Sequence, residues 1–233
     1  MENIPLPVTI LFSLVVIFTI WQFFKASHRS RQVLTVILVW MVFQSAVGLS
    51  GFYQNIGTIP PRLLLLVGPG VLLAILFAFT KQGKDFLDSL DMKSLTLLHT
   101  VRLPVEIVLY FVFIAGLIPE LMTFEGRNFD IISGISAPFV YYFVFISKNA
   151  GKNALLVWNM ICLILLINIV AIAVLSAKTP FQILAFDQPN IGIALFPILL
   201  LPSVVVPVVL ISHLAAIRQL LVNKTSNYDL DKR

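Results

Sequence analysis

The sequence predicts an all-α polytopic membrane protein, with seven transmembrane helices forming a single domain over residues 1–233. Three observations lead there. The chain is 59% hydrophobic and 12% charged, with mean hydropathy +0.98, whereas soluble domains carry about 25% charged residues. Its apolar residues come in continuous runs near the roughly 20 residues a spanning helix needs, without the alternation of a barrel strand. Lys and Arg fall almost entirely in alternate connections between those runs, as expected of loops held on one side of a bilayer.

The runs cover residues 5–24, 33–53, 62–80, 95–118, 131–147, 154–176 and 193–214. The fifth is short and contains Gly134 and Pro138, so six spans is the alternative count. Twelve of the 16 basic residues lie on one side: Lys25, Arg29 and Arg31; Lys81, Lys84 and Lys93; Lys148 and Lys152; and Arg218, Lys224, Lys232 and Arg233. Arg62, Arg127 and Lys178 face the other side, and Arg102 lies inside a span. Positive residues stay cytoplasmic. The N-terminus is therefore expected outside and residues 215–233 form a polar cytoplasmic tail, in what reads as a bacterial inner membrane. An odd number of spans agrees.

Residues 1–7 contain no Lys or Arg, so they lack the basic start of a cleavable signal. No lipidation or GPI-anchor pattern is seen at the C-terminus. The net charge of +5 is accounted for by topology. The lipid bilayer is the expected partner, and no nucleic-acid partner is expected. Cys162 is the single cysteine, which excludes an intrachain disulfide and reads as a small packing residue. In the basic loop 81–94, Asp85, Asp88 and Asp91 alternate with Phe86, Leu87 and Leu90. That spacing predicts a short amphipathic helix at the membrane surface, with a divalent-metal site on the three aspartates as the alternative.

An internal repeat is suggested by two segments. Residues 53–69 lead into the third span and residues 187–202 into the seventh. Both hold a Gln, an Asn-Ile-Gly triplet and a proline-interrupted leucine run. A 3+1+3 parallel repeat of the kind found in transporters would place the fourth span as the linker.

That fourth span carries the charges. With His99 at 0°, a helical step of about 100° puts Arg102, Glu106 and Tyr110 within one arc of about 80°, along roughly 16 Å of axis. Ionisable groups at membrane depth cost about 2.5–3.5 kcal/mol each on insertion scales, so they face partners or a water-filled cavity. One reading is a self-neutralising Arg102–Glu106 ion pair one turn apart. The other is a substrate and proton site, with Glu106 protonatable, Arg102 holding an anionic group and His99 relaying protons. Pro104 between them is expected to bend the helix.

Other polar positions supply further candidates. Glu125, Arg127, Asn128 and Asp130 in the outer loop 119–130 could form a ligand vestibule or gate. The plainer reading is a solvated loop with its own salt bridges. Asn159 and Asn168 lie on opposite faces of the sixth span, each placed to bond across helices. His99 and His213 lie at comparable depth, so axial ligation of one haem is a lesser alternative; otherwise no cofactor is predicted. Pro69 interrupts the third span, while Pro197, Pro202 and Pro207 recur in the seventh. Broken helices of this kind often border cavities.

No zinc-protease, nucleophile-elbow or phosphate-loop motif is present. The seventh span has no lysine to carry a retinal Schiff base. The expected function is a small-solute transporter or carrier, with or without proton coupling, acting on an unknown small solute through Glu106 and Arg102. The alternatives are an intramembrane enzyme or haem- or metal-binding protein on His99, His213 and Glu106, and a non-catalytic assembly or sensory partner.

Overall fold

A computed structural model describes residues 4–55 and 57–222, and among these the protein is all-helical, with 73% helix and no strands. In chain order the α-helices are α1 (Leu6–Ala26), α2 (Arg31–Leu49), α3 (Leu64–Phe79), α4 (Lys81–Ser89), α5 (Met92–Leu98), α6 (Arg102–Ile114), α7 (Ile131–Tyr141), α8 (Lys152–Leu175) and α9 (Val206–Val222). A 3₁₀ turn at His99–Val101 joins α5 to α6. One π turn, Tyr142–Ile146, ends α7, and another, Leu201–Val205, begins α9.

Each predicted run yields a helix, but their lengths differ. Five continuous helical stretches are long and apolar enough to cross a membrane: Leu6–Ala26, Arg31–Leu49, Met92–Ile114, Lys152–Leu175 and Leu201–Val222. A sixth arises if α3 and α4, bent by 93° at their junction, count as one broken span. Ile131–Ile146 is shorter.

The seventh run is displaced from its expected position. Residues 193–200 are mostly turn and 3₁₀ structure, and the helix runs on to Val222. Ile198, Leu199 and Leu200 are apolar because they fill the core, not because they face lipid. Of the expected tail, residues 215–222 complete α9, with Ala215, Ala216, Gln219 and Leu220 buried; residues 223–233 lie outside those described.

The prolines act as joints between helices. A proline at position i leaves the carbonyl at i−4 without its helical donor. Pro69 does this to Leu65, and Gln44 of α2 donates its side-chain amide to the Leu65 carbonyl at 3.3 Å. Pro207 does the same to Ser203, whose carbonyl accepts the Trp40 indole N–H at 2.9 Å. Two freed carbonyls are thus satisfied by a neighbouring helix, α2. That matters for α2, whose buried residues are only Gln44 and Gly48. Gly70 lets α3 approach α9 closely, since a Cβ there would overlap Pro207.

The basic connections share one end of the bundle. Asp91 N–H donates to the Ala26 carbonyl, the His28 ring bonds the Ser89 carbonyl, and Arg218 pairs with Asp88 at 2.7 Å. Met92, Leu220 and Ala150 pack with Val144 and Leu155, bringing the α7–α8 turn to that end. Two of the three aspartates do separate work: Asp88 holds Arg218, and Asp91 caps α5 by accepting from Ser94 N–H. No group of three His, Cys, Asp or Glu able to hold a metal occurs among the described residues.

Candidate functional site

Arg102 lies ten residues into the Met92–Ile114 span, about 15 Å along a helix about 33 Å long. It is buried, as are His99 and Glu106. The expected Arg102–Glu106 ion pair does not form. Arg102 Nη1 instead donates to Asp130 Oδ1 at 2.8 Å and to the Cys162 carbonyl at 3.1 Å. Its Nη2 meets His213 Nε2 at 2.9 Å. Arg102–Asp130 and Arg218–Asp88 are the ion pairs among the described residues, so Glu106 has no cationic partner there.

Glu106 is held from the loop instead. Asn128 Nδ2 donates to Glu106 Oε1 at 2.6 Å and to the Met122 carbonyl at 3.0 Å. The Asn128 side-chain oxygen accepts from Asp130 N–H at 3.1 Å. Asn128 is thus fully engaged. Asp130 also accepts from the Ser133 hydroxyl at 3.3 Å.

The loop 119–130 therefore does not stay at the surface. It turns at Glu120–Met122, folds on Thr123 and carries Asn128 and Asp130 down to the charged stripe. Consequently α7 begins near mid-span, and its short length fits that start. Gly134 makes the approach feasible, because a Cβ there would overlap the backbone nitrogen of Leu103.

A second arm of the network runs through the histidines. The His99 and His213 rings stack with centroids 4.0 Å apart and an interplanar angle of 17°. His213 Nδ1 lies 3.0 Å from Asn159 Oδ1, and Asn159 Nδ2 donates to the Leu155 carbonyl. Asn159 therefore orients His213 with its proton on Nδ1, leaving Nε2 to accept from Arg102. Trp158 packs edge-on to His99 and donates to Ser136 Oγ at 2.9 Å. Stacked rings this close leave no room for a haem between them, and both His213 nitrogens are engaged; the pair does not fit axial ligation of one haem.

The site is incompletely satisfied. Glu106 Oε2, Arg102 Nε and both His99 ring nitrogens are buried and find no hydrogen-bond partner in the protein. Buried polar groups are ordinarily paired, so the concentration of exceptions around Arg102 sets this helical face apart, although Gln22, Thr58 and Arg218 each carry one elsewhere.

Not every candidate joins it. Tyr110 is only half-buried and stacks on Phe124 at 5.1 Å, away from these contacts. Glu125 and Arg127 stay exposed. Asn168 is on the opposite face from Asn159 and donates to the Arg127 carbonyl at 2.9 Å. Cys162 is buried and enters through its backbone oxygen. Ser133, Ser136 and Trp158 were not anticipated; the adjacency of Trp158 to Asn159 was the available signal for the tryptophan.

The sequence profile of a domain of unknown function, DUF8737, matches residues 59–221. The chain belongs to the DUF8737 family. Every residue of the buried network lies within the DUF8737 segment, which begins before α3 and ends within α9. Comparison with curated proteins and with solved structures returned no match.

Proposed function

We infer that this DUF8737 protein is an integral membrane carrier for a small solute, coupled to protons at Glu106. One observation carries the reading. Glu106 sits inside a spanning helix with one oxygen held by Asn128 and the other without a partner. A carboxyl left half-satisfied at membrane depth is suited to taking up and releasing a proton, because no ion pair among the described residues fixes its charge. Arg102 supplies a positive group one turn away, and His99, one turn toward the basic end, offers two free ring nitrogens for proton passage.

The accompanying topology is a seven-crossing bundle in a bacterial inner membrane, N-terminus outside and basic end cytoplasmic. In it α3 and Ile131–Ile146 act as short crossings, and the charge distribution supports the orientation. The 3+1+3 repeat belongs to the same proposal, supported by the similar proline-containing segments before the third and seventh crossings.

The test is proton flux. Purified protein is reconstituted in liposomes with a trapped pH dye, a mixed panel of small solutes is supplied outside, and a potassium diffusion potential is imposed. The wild type is expected to conduct or exchange protons and Glu106→Gln to fall to the empty-liposome rate. Equal flux from the variant and the wild type would end the reading.

A further inference from the structure

We propose that Asn128 and Asp130 occupy the seat of the transported solute, a small carboxylate bearing an N–H or O–H donor a few bonds from its carboxyl group. The inference rests on the carrier reading and deepens it by naming the substrate class.

The argument is in what the loop offers to the two buried charges. Asp130 presents a carboxylate to Arg102, and two residues earlier Asn128 presents an N–H donor to Glu106. Between them these side chains supply one anion and one donor, to groups one helical turn apart, about 6 Å along the axis. An α-hydroxy or α-amino acid carries the same two functions in one small molecule.

The loop satisfies this seat only in part. Asp130 reaches Arg102 through Nη1 alone, leaving Arg102 Nε unpaired, and Asn128 reaches one Glu106 oxygen, leaving Oε2 unpaired. A carboxylate free of the chain can turn to make the bidentate fork that guanidinium favours. A hydroxyl or amine beside it can meet Glu106 Oε2. The solute therefore gains hydrogen bonds that the tethered pair does not make, which is the condition for displacing it. Phe129, between the two contacting residues, is 52% exposed, so no other element covers the loop at that point.

The experiment follows thermal unfolding of the purified protein in detergent against lactate and alanine. Propionate serves as a carboxylate without the donor, and choline chloride as the salt control. Lactate or alanine is expected to raise the midpoint of the wild type. Asp130→Asn, with the competing carboxylate gone, is expected to respond at about ten-fold lower concentration. Adding Arg102→Gln is expected to abolish the response. Propionate should act more weakly than lactate in every background.

Where Asp130→Asn does not fold, the loop is held instead. Asn168 Nδ2 donates to the Arg127 carbonyl at 2.9 Å and Arg127 is exposed, so Arg127→Cys with Asn168→Cys in a Cys162→Ala background can be bridged outside the charged stripe by a short bis-methanethiosulfonate. The cross-linked protein should lose the lactate response and regain it on reduction.

Responses that persist without Arg102 or with the loop cross-linked would overturn the proposal, as would the absence of any carboxylate effect or equal effects of propionate and lactate. Failure here, with Glu106-dependent proton flux intact, removes the substrate class and leaves the carrier. Flux that ignores Glu106 removes the carrier whatever the melting shows.

Discussion

Asp130 meets the Arg102 guanidinium from 28 residues further along the chain, at 2.8 Å, with both side chains almost fully buried. Breaking a buried pair by removing one partner strands the other charge, which costs about 3–5 kcal/mol. Arg102→Gln and Asp130→Asn are each expected to destabilise the protein by an amount in that range. The double variant should recover much of the loss, a coupling readable by denaturant unfolding in detergent. The Arg218–Asp88 pair has side chains 25% and 38% exposed. Its disruption should cost about 1 kcal/mol or less.

Loop 119–130 should divide sharply when its side chains are removed. Asn128→Ala deprives Glu106 of its donor and leaves both carboxyl oxygens without a protein partner. Leaving a buried group unsatisfied costs about 1–3 kcal/mol. Glu125→Ala and Arg127→Ala, at exposed positions, should stay within about 0.5 kcal/mol of the wild type. Unfolding midpoints of the three variants, compared side by side, check this. Comparable losses in all three would contradict the assignment of Asn128.

Gly134→Ala tests how the site is positioned. The added methyl meets the Leu103 backbone, which cannot rotate away as a side chain can. A loss of about 1–3 kcal/mol is expected from the overpacking, accompanied by separation of Asp130 from Arg102. A distance measurement between spin labels on α6 and α7 would register the change. Alanine at Gly151, where a Cβ meets nothing nearby, is the control.

Trp40→Phe removes the donor that serves the Ser203 carbonyl and should cost about 1–2 kcal/mol. Pro207→Ala restores a backbone N–H in the helical register opposite that carbonyl. In a Pro207→Ala background, Trp40→Phe should therefore cost clearly less. A double-mutant cycle on unfolding free energy reads the difference, and simple additivity would show that the indole and the proline are unconnected.

Much of the fold was legible because long apolar runs and helical hydrogen bonding leave a local trace. Each apolar run yielded a helix, and the basic connections collected at one end. The run at 193–200 misled because Ile198 and Leu199 are as apolar as lipid-facing residues while sitting in a turn inside the protein. Hydropathy reports removal from water, not backbone shape. At the site, the helical step correctly placed His99, Arg102 and Glu106 on one buried face. It suggested the wrong ionic partner, because periodicity within one helix carries no information about Asp130. The comparable depth of His99 and His213 anticipated that the two residues would lie at one level of the bundle. Their stacking required the packing of α9 against α5 and the turn that follows it, which no local pattern encodes.

Thr80 shapes a further property of the molecule. Its hydroxyl donates to the Leu76 carbonyl at the end of α3 and accepts from Gly83 N–H at the start of α4. One residue thus turns the chain through 93° and lays α4 across the basic end. There α4 and the turn after it touch the α1–α2 turn through His28, and α9 through Arg218 and Gln219. The helices are strapped together at that face by a crossbar nine residues long. At the opposite face the corresponding ties run through the connections Leu117–Asp130 and Ser176–Leu199. The bundle is thus hooped at one rim by a helix and at the other by irregular chain, where Ile191 and Gly192 N–H donate to the Leu117 carbonyl and Gln188 to the Ile118 carbonyl, and loop 119–130 enters through the irregular hoop.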